Sequence, residues 1–441
     1  MDPGLLERVS FYMSYIFTDI IDAKFMDLSK IPVTTHAINF CEGILHELIE
    51  NEQRARARRK NDLDSYALAL KSVLSSLMTA KTETAGGWVY RSVSKKSFSN
   101  SLIKGDTFNR LIRELDKQGY LDIVKGSNHK APFGTGYVPG LATRFRASDA
   151  LMKRWKQSGF SIKDLRHHFK QQPSLAEVRL KAMSQRQRHL KINGKSLRVP
   201  RNEQVIAAKE QLERINRYLI KQSFDGTNFL GLRRIFNEGD HHDFNWNMGG
   251  RLYAIGDYNY QSLKKAARLR LKINSAPVIE LDINASYLRI LHGLRGFKLP
   301  EGSDVYHVPT LHRSIVKAWI KSTLGNTGFH TRWPHRTLAE LKKDGLTVTK
   351  KQTYPAVQSL VLENYPVLRD WPTCGIRWSR LMFEESEAML EVMERLQHRD
   401  IPSLPVHDSL IVPEAAGKRA HDEMTEVFER RFQVPFIISG L

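Results

Sequence analysis

SAPVIELDINASYLRILHGL, residues 275–294, opens on an alternating pattern and changes period part-way along. In PVIELDI, Ile279, Leu281 and Ile283 point one way while Val278, Glu280 and Asp282 point the other. The segment therefore predicts a strand that runs into a helix, with Asp282 on the polar face at the strand's end. Asn284 suits the cap of that helix, and Leu288 and Leu291 fall on its core side. Most strand-end aspartates serve as caps or turn residues. One that faces an open cleft is a candidate metal ligand.

A second carboxylate lies in IPSLPVHDSLIVPE (401–414), where SLPV and LIVP flank His407-Asp408-Ser409. This pattern predicts a tight hairpin with its polar residues at the tip. A buried acid there is costly unless a cation meets it. Mg²⁺ shared with Asp282 would supply that charge, and two carboxylates holding two Mg²⁺ ions are the minimum equipment for in-line nucleotidyl transfer. Between the two acids, TLHRSIVKAWIKSTLG (310–325) places Arg313, Lys317 and Lys321 at i, i+4 and i+8. Ile315, Val316, Trp319, Ile320 and Leu324 cover the opposite side. A charged stripe is usually a solvated face. This one interleaves no Glu or Asp, so it predicts an anionic partner, and a triphosphate fits.

The whole chain has 441 residues, 68 Lys+Arg against 47 Asp+Glu and a formal charge of +21, and residues 51–200 hold +20 of it. A field of that sign steers polyanions, nucleic acid being the common one. The bland alternative is a basic protein whose charge serves solubility. Hydrophobic content of 41% supports real cores. Only Cys41 and Cys374 are present, which excludes a disulfide framework and argues against a cysteine-built zinc site. No run of 18 apolar residues and no leader-like N-terminus is read, so no membrane partner is expected and the location expected is cytoplasmic.

Residues 1–60 read as helical and end in RARARRK (54–60), a solvated face or a nucleic-acid contact. SYALALKSVLSSLMTA (65–80) reads as one helix. A better one begins near Thr107 after a turn at Gly105-Asp106, with Phe108, Leu111, Ile112 and Leu115 buried and Arg110, Arg113 and Lys117 on another face. Two strand-like pieces around a Gly-rich turn come next. Helix, helix and two-stranded wing is the order of a winged helix, whose last helix would carry the three cations to DNA, although some winged domains bind protein instead. Residues 150–222 read as basic and mostly helical, interrupted by a hairpin signal at Asn193-Gly194. Gly194-Lys195-Ser196 lacks the upstream glycine of a phosphate loop, that position being His189. His398-Arg399-Asp400 lacks the asparagine of a kinase catalytic loop, Pro405 standing there. The doublets His167-His168 and His241-His242 show no matching ligand spacing, so no metal site is expected at either.

Taken in order, GGRLYA (249–254), ELDINASYLRIL (280–291), RSIVK (313–317) and VHDSLIV (406–412) resemble the polymerase core of family A DNA polymerases and the related single-subunit phage and mitochondrial RNA polymerases. The resemblance covers about 245–435, under half the chain. It implies that Asp282 and Asp408, helped by the Ile283 carbonyl, bind two Mg²⁺ ions, with Mn²⁺ a possible substitute. It implies further that Arg313 and Lys317 hold the incoming triphosphate, with Lys321 on the same stripe and Lys317 as proton donor to pyrophosphate. His407 would touch the primer terminus, and Arg251, Asn259 and Gln261 the primer–template backbone. The chain departs from the family where motif B usually ends in Tyr-Gly, since Leu324-Gly325-Asn326 stands there. It departs again at Lys321, a usual hydrophobic or aromatic position, and at Asn247, where Asp or Thr is common. Tyr287 occupies the place of Glu in the DNA polymerases and Gly in the RNA polymerases, and an aromatic ring there would block a ribose 2′-hydroxyl. Ser409 and GRLYA lean toward the RNA polymerase branch.

The fold expected is α+β: a polymerase palm with an antiparallel sheet and small helical fingers, preceded by a helical thumb-like region and an N-terminal winged helix. Its parts would be an N-terminal helical region (1–62), the winged helix (63–150), a basic thumb-like connector (151–240), and palm and fingers (241–441, fingers about 295–375). No Asp-x-Glu precedes residue 240, so no proofreading exonuclease is expected. The function expected is DNA-directed DNA synthesis from a primer and dNTPs, as for a mobile element, plasmid or phage. The alternatives are a single-subunit RNA polymerase or primase-polymerase, which would start without a primer, and a non-catalytic DNA-binding regulator.

Overall fold

The computed structural model describes residues 22–52, 56–98, 101–126, 142–159, 161, 165–187, 190–257, 259–299, 304–371 and 373–441. The chain is mixed α+β and forms two compact units. The first runs through Pro173 and takes in Asn228–Leu230 and Ala254–Ser262. The second comprises Ser174–Thr227, Gly231–Tyr253 and Leu263–Leu441. This division differs from the expected boundaries at 62, 150 and 240. Helices α1 (Thr35–Glu50) and α2 (Lys60–Glu83) bury Phe40, Ile44, Leu70, Val73 and Leu77 in one core with α3 (Gly105–Lys117), so no boundary falls at residue 62.

In the first unit, strand β1 (Lys24–Phe25) lies parallel to β2 (Trp88–Arg91). β3 (Leu121–Val124) and β4 (Thr143–Ala147) complete an antiparallel set in the order β1-β2-β4-β3. All four apolar residues expected on α3 are buried. That helix starts at Gly105 rather than near Thr107, and Gly105 sits against the Phe98 ring, where a Cβ would lie 3.0 Å away. The Gly-rich turn expected between β3 and β4 falls at 127–141, outside the described residues. Arg58, from the basic run, is neither solvated nor free: it binds Glu52 and Asp62 and lies 4.0 Å from the Tyr66 ring.

Among the described residues, the stretch 150–222 is not mostly helical. EVRLK (Glu177–Lys181, β5) alternates, with Val178 and Leu180 buried, which is a strand period. β5 pairs with β6 (Ser196–Leu197) and with β7 (Leu232–Phe236), and β8 (Gly249–Ala254) extends the sheet beside β7. The hairpin in this region pairs Gln187 with Leu190, so its turn is not at Asn193-Gly194. Gly194 instead passes so close to the chain that a Cβ would meet the Ala182 carbonyl oxygen at 1.7 Å. The long helix here, α5 (Glu203–Leu219), is fastened by Asn216. Its side-chain oxygen accepts from Leu232 N at 2.7 Å, while its amide donates to Leu175 O at 2.7 Å and Leu232 O at 2.8 Å.

The second sheet of this unit has the order Phe224–Asp225, β9 (Lys272–Ile273), β10 (Ala276–Ile283), β12 (Ser409–Pro413) and β11 (Leu404–Val406). β13 (Ile438–Ser439) also pairs with β10. Helices α6 (Ser286–Arg295), α10 (Trp378–His398) and α11 (Gly417–Phe432) belong to the same unit. So do α7 (Arg313–Leu324), α8 (His335–Lys343) and α9 (Tyr354–Asn364). Among the described residues no helix is long and apolar enough to cross a membrane.

Replacing Asn216 with Ala strips four hydrogen bonds from a fully buried site, the fourth being a longer one to Ser174 O at 3.4 Å, and orphans the Leu232 amide. Thermal or denaturant unfolding should register a loss of about 2–4 kcal/mol. A variant as stable as the wild type would deny Asn216 this role.

Candidate active site

β10 and β12 are antiparallel, with Asp282 opposite Ser409. One residue further the ladder continues from Ile283 N to the Asp408 carbonyl at 3.2 Å. The hairpin between β11 and β12 closes with Val406 opposite Ser409, so His407 and Asp408 form its two-residue tip, as expected. His407 holds φ at +61°, a left-handed conformation that a tight two-residue turn demands. The pairing thus sets two carboxylates from distant parts of the chain side by side. Ser409 Oγ donates to Asp282 Oδ1 and steadies it.

The helix cap differs from expectation. α6 begins at Ser286, and its cap is Ala285 at φ +56°, with no side-chain bond. The Asn284 backbone amide is tied to Ile437 O at 2.9 Å. Leu288 and Leu291 are buried as expected.

A cavity of about 640 Å³ opens here. Its walls include Asp282, Ile283, Asp408, His407, Tyr287, Arg251, Lys317 and Lys321. Eight of the residues singled out in the sequence are therefore brought to one space. Arg313 is not among them. It lines a neighbouring cavity of about 610 Å³ between α7 and α8, which Lys317 and Lys321 also reach.

The cationic stripe is also less bare than its sequence suggests. Arg313 Nε meets Asp304 at 2.8 Å, and Lys321 lies 3.7 Å from Glu340, so acids outside the helix partner two of the three. Among the described residues Lys317 has no carboxylate partner; its ammonium stands 5.9 Å from the Tyr306 ring.

Sequence reasoning missed Glu385. It is 1% exposed on α10, yet it lines the cavity, binds the Arg251 guanidinium and accepts from Ser286 Oγ at 2.7 Å. A signal was present. Leu381, Glu385, Ala388 and Val392 recur at i, i+4, i+7 and i+11, so one acid stands in an otherwise apolar stripe. A second buried acid, Glu280, is matched by Arg268 in a two-point pair of 2.7 and 2.8 Å.

These pairs set the electrostatics. Burial first, then the Glu385 and Asp282 carboxylates, pushes Asp408 up to about 7. Burial, reinforced by Arg251 and Arg268, brings His407 down to about 4, so the imidazole is neutral near pH 7. Burial would depress Arg251, but the Glu385 carboxylate outweighs it and keeps the guanidinium charged. Burial and Glu385 together hold the Tyr287 phenol protonated.

The remaining expected contacts lie in the first unit. Asn259 is buried and closes a turn, donating to Gly256 O at 2.6 Å, and Gln261 accepts from Ala254 N at 2.9 Å. Arg110 turns inward, 3.3 Å from Asp62 and 5.5 Å from the Tyr66 ring. Lys117 pairs with Glu114 at 3.2 Å, and Arg113 is exposed. The histidine doublet in the second unit differs from expectation. His241 and His242 do have a carboxylate neighbour, Asp243, whose oxygen lies 3.9 and 3.1 Å from their ring nitrogens; the local turn folds it back in a way that ligand spacing does not reveal.

No family model and no curated protein matches the chain. Among solved structures it is similar to the POL domain of Pol1 from M. smegmatis in complex with DNA primer-template and dNTP. Identity is 14% and the TM-score 0.29, over 93% of this chain and 66% of that one. The chain thus spans just under two thirds of that structure's length.

The Asp408 shift has a consequence for stability. Its folded value lies above its ordinary one, so the stability it contributes is present at low pH and lost as pH rises from about 4 through about 7. In chelator, Asp408→Asn should remove this loss and leave the variant the more stable protein at pH 8, by up to about 4 kcal/mol. Denaturant titrations at pH 4 and pH 8 measure it. Parallel curves for the two proteins would mean that Asp408 is not strained by its neighbours.

Proposed function

We propose that the chain is a template-directed nucleotidyltransferase, and specifically a DNA-directed DNA polymerase that extends a 3′-hydroxyl with dNTPs. The observation that carries this reading is the meeting of Asp282, on β10, with Asp408, at the tip of the hairpin that pairs with it, in a cavity whose walls also bear Lys317 and Lys321.

The donor set fits divalent magnesium. Two carboxylates and the Ile283 carbonyl are hard oxygen ligands. The neutral His407 adds no charge to them, and the upward push on Asp408 marks negative charge that the protein leaves uncompensated. Asp282, Asp408 and the Ile283 carbonyl would hold two Mg²⁺ ions, with Mn²⁺ as substitute. Bound there, the metal supplies activation of the 3′-hydroxyl and neutralisation of charge on the phosphates.

The rest is done by the chain's own groups. Lys317, without a carboxylate partner, binds the triphosphate and gives its proton to the departing pyrophosphate. Lys321 and Arg313 add positive charge along the same helix. The neutral His407 packs beside the primer terminus. Tyr287 presents its ring to the sugar and leaves no room for a 2′-hydroxyl, which favours dNTPs over NTPs. Arg251 stands behind Tyr287, held by Glu385.

The first unit would bind DNA as a winged helix. The antiparallel order β2-β4-β3 with α2 and α3 supports that reading, and the exposed Arg113 and Lys117 are the better-placed contacts on α3. A basic DNA-binding unit joined to a polymerase core would suit a plasmid, phage or other mobile element.

Extension of a labelled primer on a DNA template with Mg²⁺ tests the reading. Wild type should extend with dNTPs in preference to NTPs. Asp408→Ala should lose about a thousandfold or more in rate, and Lys317→Ala about a hundredfold. Equal activity in Asp408→Ala, or no extension by the wild type on DNA or RNA templates, would contradict it. Products made from NTPs without a primer would move the protein to the RNA polymerase or primase branch.

A further inference from the structure

Glu385 stands at the junction of three elements of the cavity wall. One oxygen accepts from Ser286 Oγ at 2.7 Å, at the first position of α6, and the other takes the Arg251 guanidinium from β8. The same Arg251 nitrogen donates to the Tyr287 hydroxyl at 3.3 Å, and the guanidinium lies 5.9 Å from the centre of the Tyr287 ring. Tyr287 follows Ser286 on α6, so Glu385 grips it from both ends. It holds the backbone through Ser286 and the hydroxyl through Arg251.

We propose that Glu385 is a positioning residue for sugar selection: through Ser286 and Arg251 it fixes the Tyr287 ring across the part of the cavity that receives the nucleotide sugar. This rests on the polymerase reading given above. Exclusion of a hydroxyl is a matter of rigidity. An unpinned tyrosine has two free side-chain torsions and can swing aside, so exclusion demands a ring whose rotamer is locked. Glu385 is 1% exposed and the Arg251 side chain 16%, which leaves little water to soften the pair. Removing the carboxylate frees Arg251 and with it the hydrogen bond that anchors the Tyr287 hydroxyl.

A merely structural ion pair would lower stability when broken and leave the choice of sugar alone. The test therefore reads the ratio of kcat/KM for a dNTP to that for the matching NTP, with a melting curve for each protein. Glu385→Gln keeps the size of the side chain and an oxygen for Ser286 while losing the charge that holds Arg251. It should lower the ratio about tenfold, chiefly through KM for the two nucleotides. Tyr287→Ala should lower it further, and the double variant Glu385→Gln/Tyr287→Ala should match Tyr287→Ala alone, because the two residues act through one ring. Should Glu385→Gln melt too low to assay, Arg251→Lys breaks the same link to the hydroxyl and is expected to give the same fall. A wild-type ratio in either folded variant, or additive effects in the double variant, overturns the proposal while leaving the polymerase reading in place. A wild type that uses both sugars equally overturns it too. A wild type that extends no primer at all removes the polymerase reading, and this proposal with it.

Discussion

The register between β10 and β12 is the constraint on which the site depends. Asp282 and Asp408 are 126 positions apart, and only the pairing of Asp282 with Ser409 brings them together. Side chains alternate along a strand, so a slip of one residue would turn Asp282 to the other face and bury its apolar neighbours wrongly. The register is fixed from both sides. β13 pairs Asp282 with Ser439, and the hairpin fixes Val406 against Ser409. Leu281, Ile283, Leu410 and Ile411 are buried on this sheet, and that apolar burial holds the acids where they are.

Charge is distributed around that pair in a consistent way. Two buried acids, Glu385 on the cavity wall and Glu280 on β10, each have their own arginine, Arg251 and Arg268. Such pairs offset their own desolvation and are costly to break by halves. Among the described residues neither Asp282 nor Asp408 is ion-paired with an arginine, and Asp408 in particular is pushed upward. The supporting acids are thus neutralised by arginines, while Asp282 and Asp408 are not. Lys317 lines the same cavity and, among the described residues, has no acid partner.

Much of the site is legible in the sequence. The alternation in PVIELDI, the polar tip of the SLPV–LIVP hairpin and the apolar side of α7 each state their structure locally, because each depends on one strand or one helical face. The failures have more than one cause. The partners of Arg313 and Lys321 come from Asp304 and Glu340, outside the helix, and no spacing along 310–325 encodes them. Arg58 reads as part of a solvated basic run because its acids, Glu52 and Asp62, are organised only once α2 packs. Residues 177–181 are hidden by high charge, although their alternation is that of a strand. Glu385 is detectable as the acid in the apolar stripe of α10. What it touches is not, since Arg251 and Ser286 arrive from remote segments.

Everything proposed for the cavity requires that Asp282, at the end of β10, and Asp408, at the hairpin tip, make a divalent-cation site. Mn²⁺ binding followed by electron paramagnetic resonance, on the wild type and on Asp282→Asn/Asp408→Asn, addresses this without any need for turnover. The wild type should bind Mn²⁺ in competition with Mg²⁺, and the double variant should lose that binding while keeping its fold. Mn²⁺ bound equally by both proteins would place the cation elsewhere and contradict the assignment.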